Sequence, residues 1–244
     1  YITSSFTSKH IKDYYKMIKL YHFPLCPFSR RIRLLLSESN LDFELLYEIP
    51  WDRRPEFLAL NPAGTLPVII DENDKNISGI YSITEYIEEI LSLNKSNFIF
   101  GDIYNKSEIR RIMEWFDVKF NAEVTQLILK EMVNKFYINK SDGGGSPNME
   151  IIRIAQENMI YHLDYISYLS ESRGWLAGDR ISEADFAVAA HLSCLDYLNK
   201  VPWDKADSVK NWYARIKSRP SFSNLLKDEL SGFITPAHYA DLDF

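Results

Sequence analysis

Residues Lys19 to Arg31 restrict the fold more than any other stretch of the chain. A β-prone run, Lys19-Leu20-Tyr21-His22, meets a turn at Pro24, and Cys26 stands directly before Pro27. Proline suits a first helical position, because its φ is fixed and its absent N–H would have no partner there. Phe28, Ile32, Leu35 and Leu36 follow at helical spacing, so the segment reads as strand, turn and helix with one apolar face. Cys26 is then expected at the positive end of a helix dipole, with Arg30, Arg31 and Arg33 close by. Both influences favour thiolate over thiol.

A second signature comes at Asn61-Pro62-Ala63-Gly64-Thr65-Leu66-Pro67, where turn residues lead straight into the β-branched run Val68 to Asp71. Between the two signatures, Phe43 to Ile49 reads as a strand. A loop with Trp51, Arg53 and Arg54 then precedes a short helical turn at Pro55 to Leu60. Asn73 to Asn76 is a hairpin-like turn into Ile77 and Ser78. Ser82 and Glu85 predict a capping box, followed by Ile83, Tyr86, Ile87, Ile90 and Leu91 on one helical face. The order is β-α-β-α-β-β-α, and beyond Asn94 the strand signal disappears.

Ile109, Ile112, Met113, Phe116, Phe120, Val124, Leu127 and Ile128 trace one face of a long helix. Asn139 to Asn148, with Gly143-Gly144-Gly145, reads as a flexible surface break; without a preceding strand or a following Lys-Ser/Thr it is no phosphate loop. Ile152, Ala155, Met159, Leu163 and Ile166 supply the next apolar stripe. Ser182 and Asp185 predict a second capping box, with Ile181 as the staple residue. Ala184 to Leu195 is apolar nearly all round, as expected of a central buried helix.

The cysteine–helix start, the Leu66-Pro67 loop, the Ser182/Asp185 box, and Trp212 to Ile216 with Arg219-Pro220-Ser221-Phe222 together resemble the glutathione transferase superfamily. That resemblance implies an α/β thioredoxin-like N-terminal domain over 17–94, an all-α C-terminal domain over 95–230 and an extended tail over 231–244. It also implies a cis bond at Leu66-Pro67 and a homodimer formed through the third helix and the long helix starting near Ser107. Residues 1–16 read as a disordered extension without the apolar core of a secretory signal, and Met17 stands just before the first strand.

Composition narrows the function. A net charge of −6 and a pI near 5.5 leave no clustered basic excess for a nucleic-acid partner. No apolar run approaches the roughly 20 residues needed to cross a bilayer. Two cysteines form no disulfide framework and point to free thiols in a reducing cytoplasm.

Cys26 is the first catalytic candidate: Cys-Pro-Phe-Ser resembles the omega-like class, in which cysteine forms mixed disulfides with glutathione. Ser29 is the rival, as the hydroxyl that would hold a glutathione thiolate. The absence of a second cysteine at Cys-x-x-Cys spacing argues against dithiol exchange. The family's glutathione-binding positions fall on Leu66, Pro67, Tyr81 and Ser82. Here the sequence departs from the family, which carries an acidic residue or Gln before that Ser. Tyr81 supplies no negative charge near neutral pH, and a lost charge-assisted contact is worth about 1.5–3 kcal/mol. Glutathione is thus a weakened expectation. His10, His22, His162, His191 and His238 stand at no metal-ligand spacing, so no metal is expected. His191 and Cys194 read as core residues, and Glu88-Glu89 as a solvated face.

The ending runs Pro236-Ala237-His238-Tyr239-Ala240-Asp241-Leu242-Asp243-Phe244 without helical periodicity. Aromatic anchors among acids suit a partner-binding tail, of which Pro236, His238, Tyr239, Asp241, Leu242, Asp243 and Phe244 are the candidate contacts. The alternative is a tail folded onto its own helical domain. The ending resembles the glutathione-transferase-like bacterial division proteins that bind filaments of the tubulin-like FtsZ. It implies a weakly or non-catalytic factor at the division site; the alternative is a cytosolic glutathione transferase or thiol transferase using Cys26 or Ser29.

Overall fold

The structure, a computed structural model, describes residues 17–93 and 96–242. The 1–16 extension, the boundary drawn at 94/95, and Asp243 and Phe244 of the tail lie outside the described residues.

Four strands, β1 (Ile18–His22), β2 (Phe43–Tyr47), β3 (Val68–Ile70) and β4 (Asn76–Ser78), form one mixed sheet in the order β2-β1-β3-β4. β1 runs parallel to β2, with Leu20 opposite Leu45, and antiparallel to β3, with Leu20 opposite Ile69. β3 pairs antiparallel with β4, Ile69 facing Ile77. Ile18 and Leu20 alternate with an exposed Lys19, so β1 turns a buried face toward α1 (Pro27–Glu38) and α3 (Ile80–Ser92). Ile32, Leu35, Leu36, Ile69, Ile83, Ile87 and Leu91 fill that layer. The short helix α2 (Pro55–Leu60) carries Phe57 into a second, larger core.

The helical half begins with α4, which winds continuously over residues 103–137 with wider i→i−5 bonding at Trp115–Thr125 and Lys130–Asn134. Asp102 caps it, accepting from the N–H of Tyr104 and of Asn105 at 2.9 Å, so it starts four residues before Ser107. Next come α5 (Met149–Arg173), α6 (Glu183–Tyr197), α7 (Asp207–Lys217), α8 (Ser223–Leu226) and a last turn, α9 (Ala237–Ala240). Every residue of α6 is buried. Asp185 opens that helix as expected: it accepts from Ser182 N at 2.9 Å and also from Leu176 N and Trp212 Nε1, each at 3.0 Å.

Some local expectations change in the folded chain. The third helix is not capped by Ser82; Gly79, at φ 90°, precedes its first residue, and Glu85 pairs with Arg110 on α4 at 3.1 Å. Glu88 is no solvated residue: it is buried and accepts from Phe98 N at 3.0 Å and Ile99 N at 2.9 Å. The glycine-rich stretch is a built turn, with Gly144 N bonded to Asn139 O and Gly145 N to Lys135 O. A Cβ on Gly144 would stand 1.7 Å from the Ile138 carbonyl oxygen, which is why glycine occupies that position.

Candidate functional site

Cys26 is the N-cap of α1, in extended backbone conformation, and its Sγ accepts from the N–H of Ser29 at 3.4 Å. Pro27 takes the first helical position, as its chemistry requires. The thiol forms part of the wall of a cavity of about 280 Å³ between the sheet half and α4. Its floor is apolar, with Phe23, Phe28, Trp51 and Leu66; the opposite wall carries Asn121, Gln126, Lys130 and Asn134 from α4. Those four side chains escaped sequence reading, which followed only the apolar face of that helix. Their recurrence four or five residues apart on α4 is the signal that marks a second, polar face.

The Leu66–Pro67 peptide is cis. The loop before it is tied by Asn61, whose Nδ2 donates to the Thr65 carbonyl at 2.8 Å while Oδ1 accepts from Ala63 N at 3.2 Å. Asn61 is a further residue that sequence reading passed over. Gly64 sits at φ 66°, and Thr65 and Leu66 present this loop to the cavity. Trp51 closes one side, edge-on to Phe23 at 5.1 Å and stacked on Tyr137 at 6.0 Å.

The expected thiolate bias does not survive folding. Burial pushes the Cys26 thiol up, and this outweighs the Ser29 contacts and the charge of Arg30. The nearby arginines are consumed elsewhere in the interior. Arg31 pairs with Asp117 at 2.5 Å and Glu183 at 3.0 Å. Arg33 makes two bonds to Asp228, at 2.7 and 2.8 Å. Arg30 donates to Pro24 O, Ser193 Oγ and Tyr239 OH. A charge already neutralised by a buried carboxylate does little for a thiol several ångströms away.

The remaining candidates scatter. Ser29 is wholly buried in the first turn of α1 and lines no part of the cavity. Pro67 is buried behind Leu66. Tyr81 is 46% exposed and faces a separate recess with Glu85, Arg110, Glu114 and Val118. Ser82 is exposed on the first turn of α3, where backbone N–H groups have no intrahelical partner. Cys194 is fully buried, its thiol pushed up to about 12 by burial, and His191 bonds Thr125 Oγ1 at 2.9 Å inside the core. Among the described residues no group of three or more His, Cys, Asp or Glu could hold a metal ion, and no helix is long and apolar enough to cross a membrane.

The tail does not extend from the surface as a free partner-binding segment over its described length. Residues 237–240 make one helical turn that folds back, and Tyr239 is 1% exposed. His238 Nε2 meets Asp196 Oδ1 at 3.0 Å, and Lys217 Nζ donates to the His238 carbonyl at 2.8 Å. The physical reason is burial: an aromatic ring gains more from the apolar pocket beside Tyr197 than from water. Pro236 leads into the turn as its N-cap, and Asp241 and Leu242 reach the surface beyond it.

Comparison with known proteins places this geometry in context. Residues 25–90 match the family model for the glutathione S-transferase N-terminal domain, and residues 129–229 the model for the C-terminal domain. The chain is 41% identical to FtsZ-localized protein A of Caulobacter vibrioides, over 92% of this chain and 97% of that one. Glutathione S-transferase 2 of Saccharomyces cerevisiae is 26% identical over 87% of this chain and 90% of its own. Among solved structures, a glutathione S-transferase from Sinorhizobium meliloti superposes with a TM-score of 0.91 at 44% identity, covering 94% of this chain and all of that one. FzlA from C. crescentus gives 0.88 at 40%, with the same coverage.

Proposed function

Because the chain belongs to the glutathione S-transferase superfamily, we propose that it uses that fold as a dimeric cell-division factor that binds FtsZ filaments, with weak or no glutathione chemistry. The observation that carries this reading is 41% identity to FtsZ-localized protein A along nearly the whole of both chains. Named transferases of yeast and plants stand at 23–28%. The site supports the reading. The Cys26 thiol is held protonated by burial, and Tyr81 neither carries a charge nor shares the Cys26 cavity. A glutathione molecule seated on Cys26 would need its ammonium end held by a carboxylate that this position does not offer.

Partner contacts of the tail fall to Asp241, Leu242, Asp243 and Phe244, because Tyr239 and His238 hold the turn to the body of the protein. The recess with Tyr81, Arg110 and Val118, between α3 and α4, is the surface for the second copy. Two linked copies on one filament raise apparent affinity without new contacts. The protein acts in the cytoplasm at the site of division.

A second reading, a glutathione-dependent transferase or thiol transferase, is favoured by one feature: Cys26 and the cis Leu66–Pro67 loop meet at the same cavity. The Sinorhizobium protein, 44% identical, is named a glutathione S-transferase.

Co-sedimentation with assembled FtsZ from the same source, with and without GTP, tests the proposal. Pelleting only with filaments, lost on truncation after Ala240, supports it. A chain that stays in the supernatant, while glutathione-dependent thiol transfer is present in the native chain and absent in Cys26→Ala, overturns it in favour of the transferase.

A further inference from the structure

Arg30 links the Cys26 cavity to the C-terminal turn. It is wholly buried, and its guanidinium is divided between two distant parts of the chain. Nε donates to the Pro24 carbonyl at 2.6 Å, which fixes the turn that delivers Leu25 and Cys26 to the cavity wall. Nη1 donates to the Tyr239 hydroxyl and to Ser193 Oγ, each at 2.9 Å. The Tyr239 hydroxyl itself donates to the Leu225 carbonyl at 3.2 Å, so it is satisfied in both directions. Its ring stands edge-on to Tyr197 at 5.2 Å, and the Tyr197 ring lies 5.9 Å from the Arg30 guanidinium carbon.

Nη2 reaches Asp228 only at 3.4 Å, and that carboxylate is already held by two shorter bonds from Arg33. Pro24, Ser193 and Tyr239 are therefore the close acceptors that keep a buried cation satisfied. A buried donor that loses its acceptor pays its desolvation again unless it moves to another. The nearest stronger acceptor is the Asp228 carboxylate, since charge-assisted bonds exceed neutral ones. A shift of the fork toward Asp228 draws Nε away from the Pro24 carbonyl.

We propose that Tyr239 is a positioning residue for the Cys26 cavity: the docked C-terminal turn, acting through Arg30, holds the Pro24–Cys26 turn in place, and release of the tail loosens that wall and makes the partly buried Cys26 more accessible to small thiol-reactive molecules. The coupling belongs to the isolated chain and stands whether or not the filament reading holds. By linkage, anything that draws the tail away loosens the cavity, and occupation of a loosened cavity weakens the hold on the tail.

Alkylation of the full chain by iodoacetamide, read at each cysteine by peptide mass spectrometry, tests it. Cys26 reports the cavity wall; Cys194, fully buried on α6 with its thiol donating to the Leu25 carbonyl at 3.4 Å, reports detachment of the whole turn from α6. Tyr239→Phe keeps the ring and removes the hydroxyl, and is expected to speed Cys26 labelling about five-fold or more, the factor equivalent to about 1 kcal/mol, with Cys194 unlabelled. Lys217→Met frees the His238 carbonyl away from the Arg30 fork and should move Cys26 in the same direction. Tyr165→Phe removes a hydroxyl that accepts from Arg111, not Arg30, and should leave the rate unchanged. Equal Cys26 rates in Tyr239→Phe and the native chain, or Cys26 and Cys194 rising together, would overturn the proposal.

Discussion

Arg31 is where the sheet half and the helical half are most tightly joined, and replacing it by methionine tests that junction. Its side chain is 1% exposed, and its three nitrogens reach Asp117 Oδ2 at 2.5 Å, Glu183 Oε2 at 3.0 Å and Thr84 Oγ1 at 2.9 Å. Arg31→Met keeps much of the stem and removes the charge, leaving two carboxylates in the interior without their cation. His191 stands 3.6 Å from Asp117 but is held toward the neutral form by burial. Removing one partner of a buried pair costs about 3–5 kcal/mol, against a total stability of about 5–15 kcal/mol. At about 2–4 °C per kcal/mol for a chain of this size, the melting temperature should fall by about 6–20 °C. The loss must also depend on pH. Burial, working against the Arg31 charge, already holds Glu183 at about 7, and without Arg31 it rises further. A carboxyl whose folded pKa is raised takes up a proton on folding; its contribution is fully present at low pH and lost as pH climbs through the folded value. Arg31→Met should therefore lie nearer the native protein at about pH 5.5 than at about pH 8, by about 1 kcal/mol or more, since one pKa unit is worth about 1.4 kcal/mol. Urea unfolding followed by tryptophan fluorescence at fixed protein concentration measures both numbers. A loss below about 1 kcal/mol at the higher pH, or equal losses at both, would refute this account of the junction. Arg153→Met, which breaks exposed pairs with Glu150 and Glu157 on α5, serves as the control and should cost under about 1 kcal/mol.

Asp185→Ala strips the acceptor from three backbone and indole N–H groups and should cost at least about 3 kcal/mol; a midpoint in urea close to the native one would remove the capping box from its place in the fold. The alkylation rate of Cys26 should climb steadily as pH rises past the ordinary thiol range, because burial holds the thiol protonated; a plateau reached near neutral pH would show an activated thiolate instead. Gly144→Ala should destabilise the turn before α5, since its methyl would meet the Ile138 carbonyl, and faster amide exchange at Gly144 and Gly145 would report it. Protection unchanged there would mean that the turn yields without loss.

The elements that rest on local rules were legible in the chain before any fold was known. Pro27 after Cys26 started α1, the Ser182–Asp185 pair opened α6, and the unbroken apolar run that follows it gave a helix buried on every side. Residue spacing carries such information because caps and periodicity act over three or four positions. The long helix was legible on its apolar face only, so Asn121, Gln126, Lys130 and Asn134 at the cavity went unread. What only the tertiary structure decided was the fate of the charges and of the tail. The sequence set three arginines beside Cys26; folding buried Arg31 and Arg33 against Asp117, Glu183 and Asp228, partners 86 to 195 residues away, and gave Arg30 to Pro24, Ser193 and Tyr239, so that burial outweighs what charge still favours the thiolate. Glu88 went inward for two loop N–H groups, and Glu85 left its expected cap for Arg110. Tyr239, which composition alone offered to a partner, found its hydroxyl's place beside Arg30. A buried charge or hydroxyl settles where its partner is, and that partner is set by how distant elements pack, which no local spacing encodes.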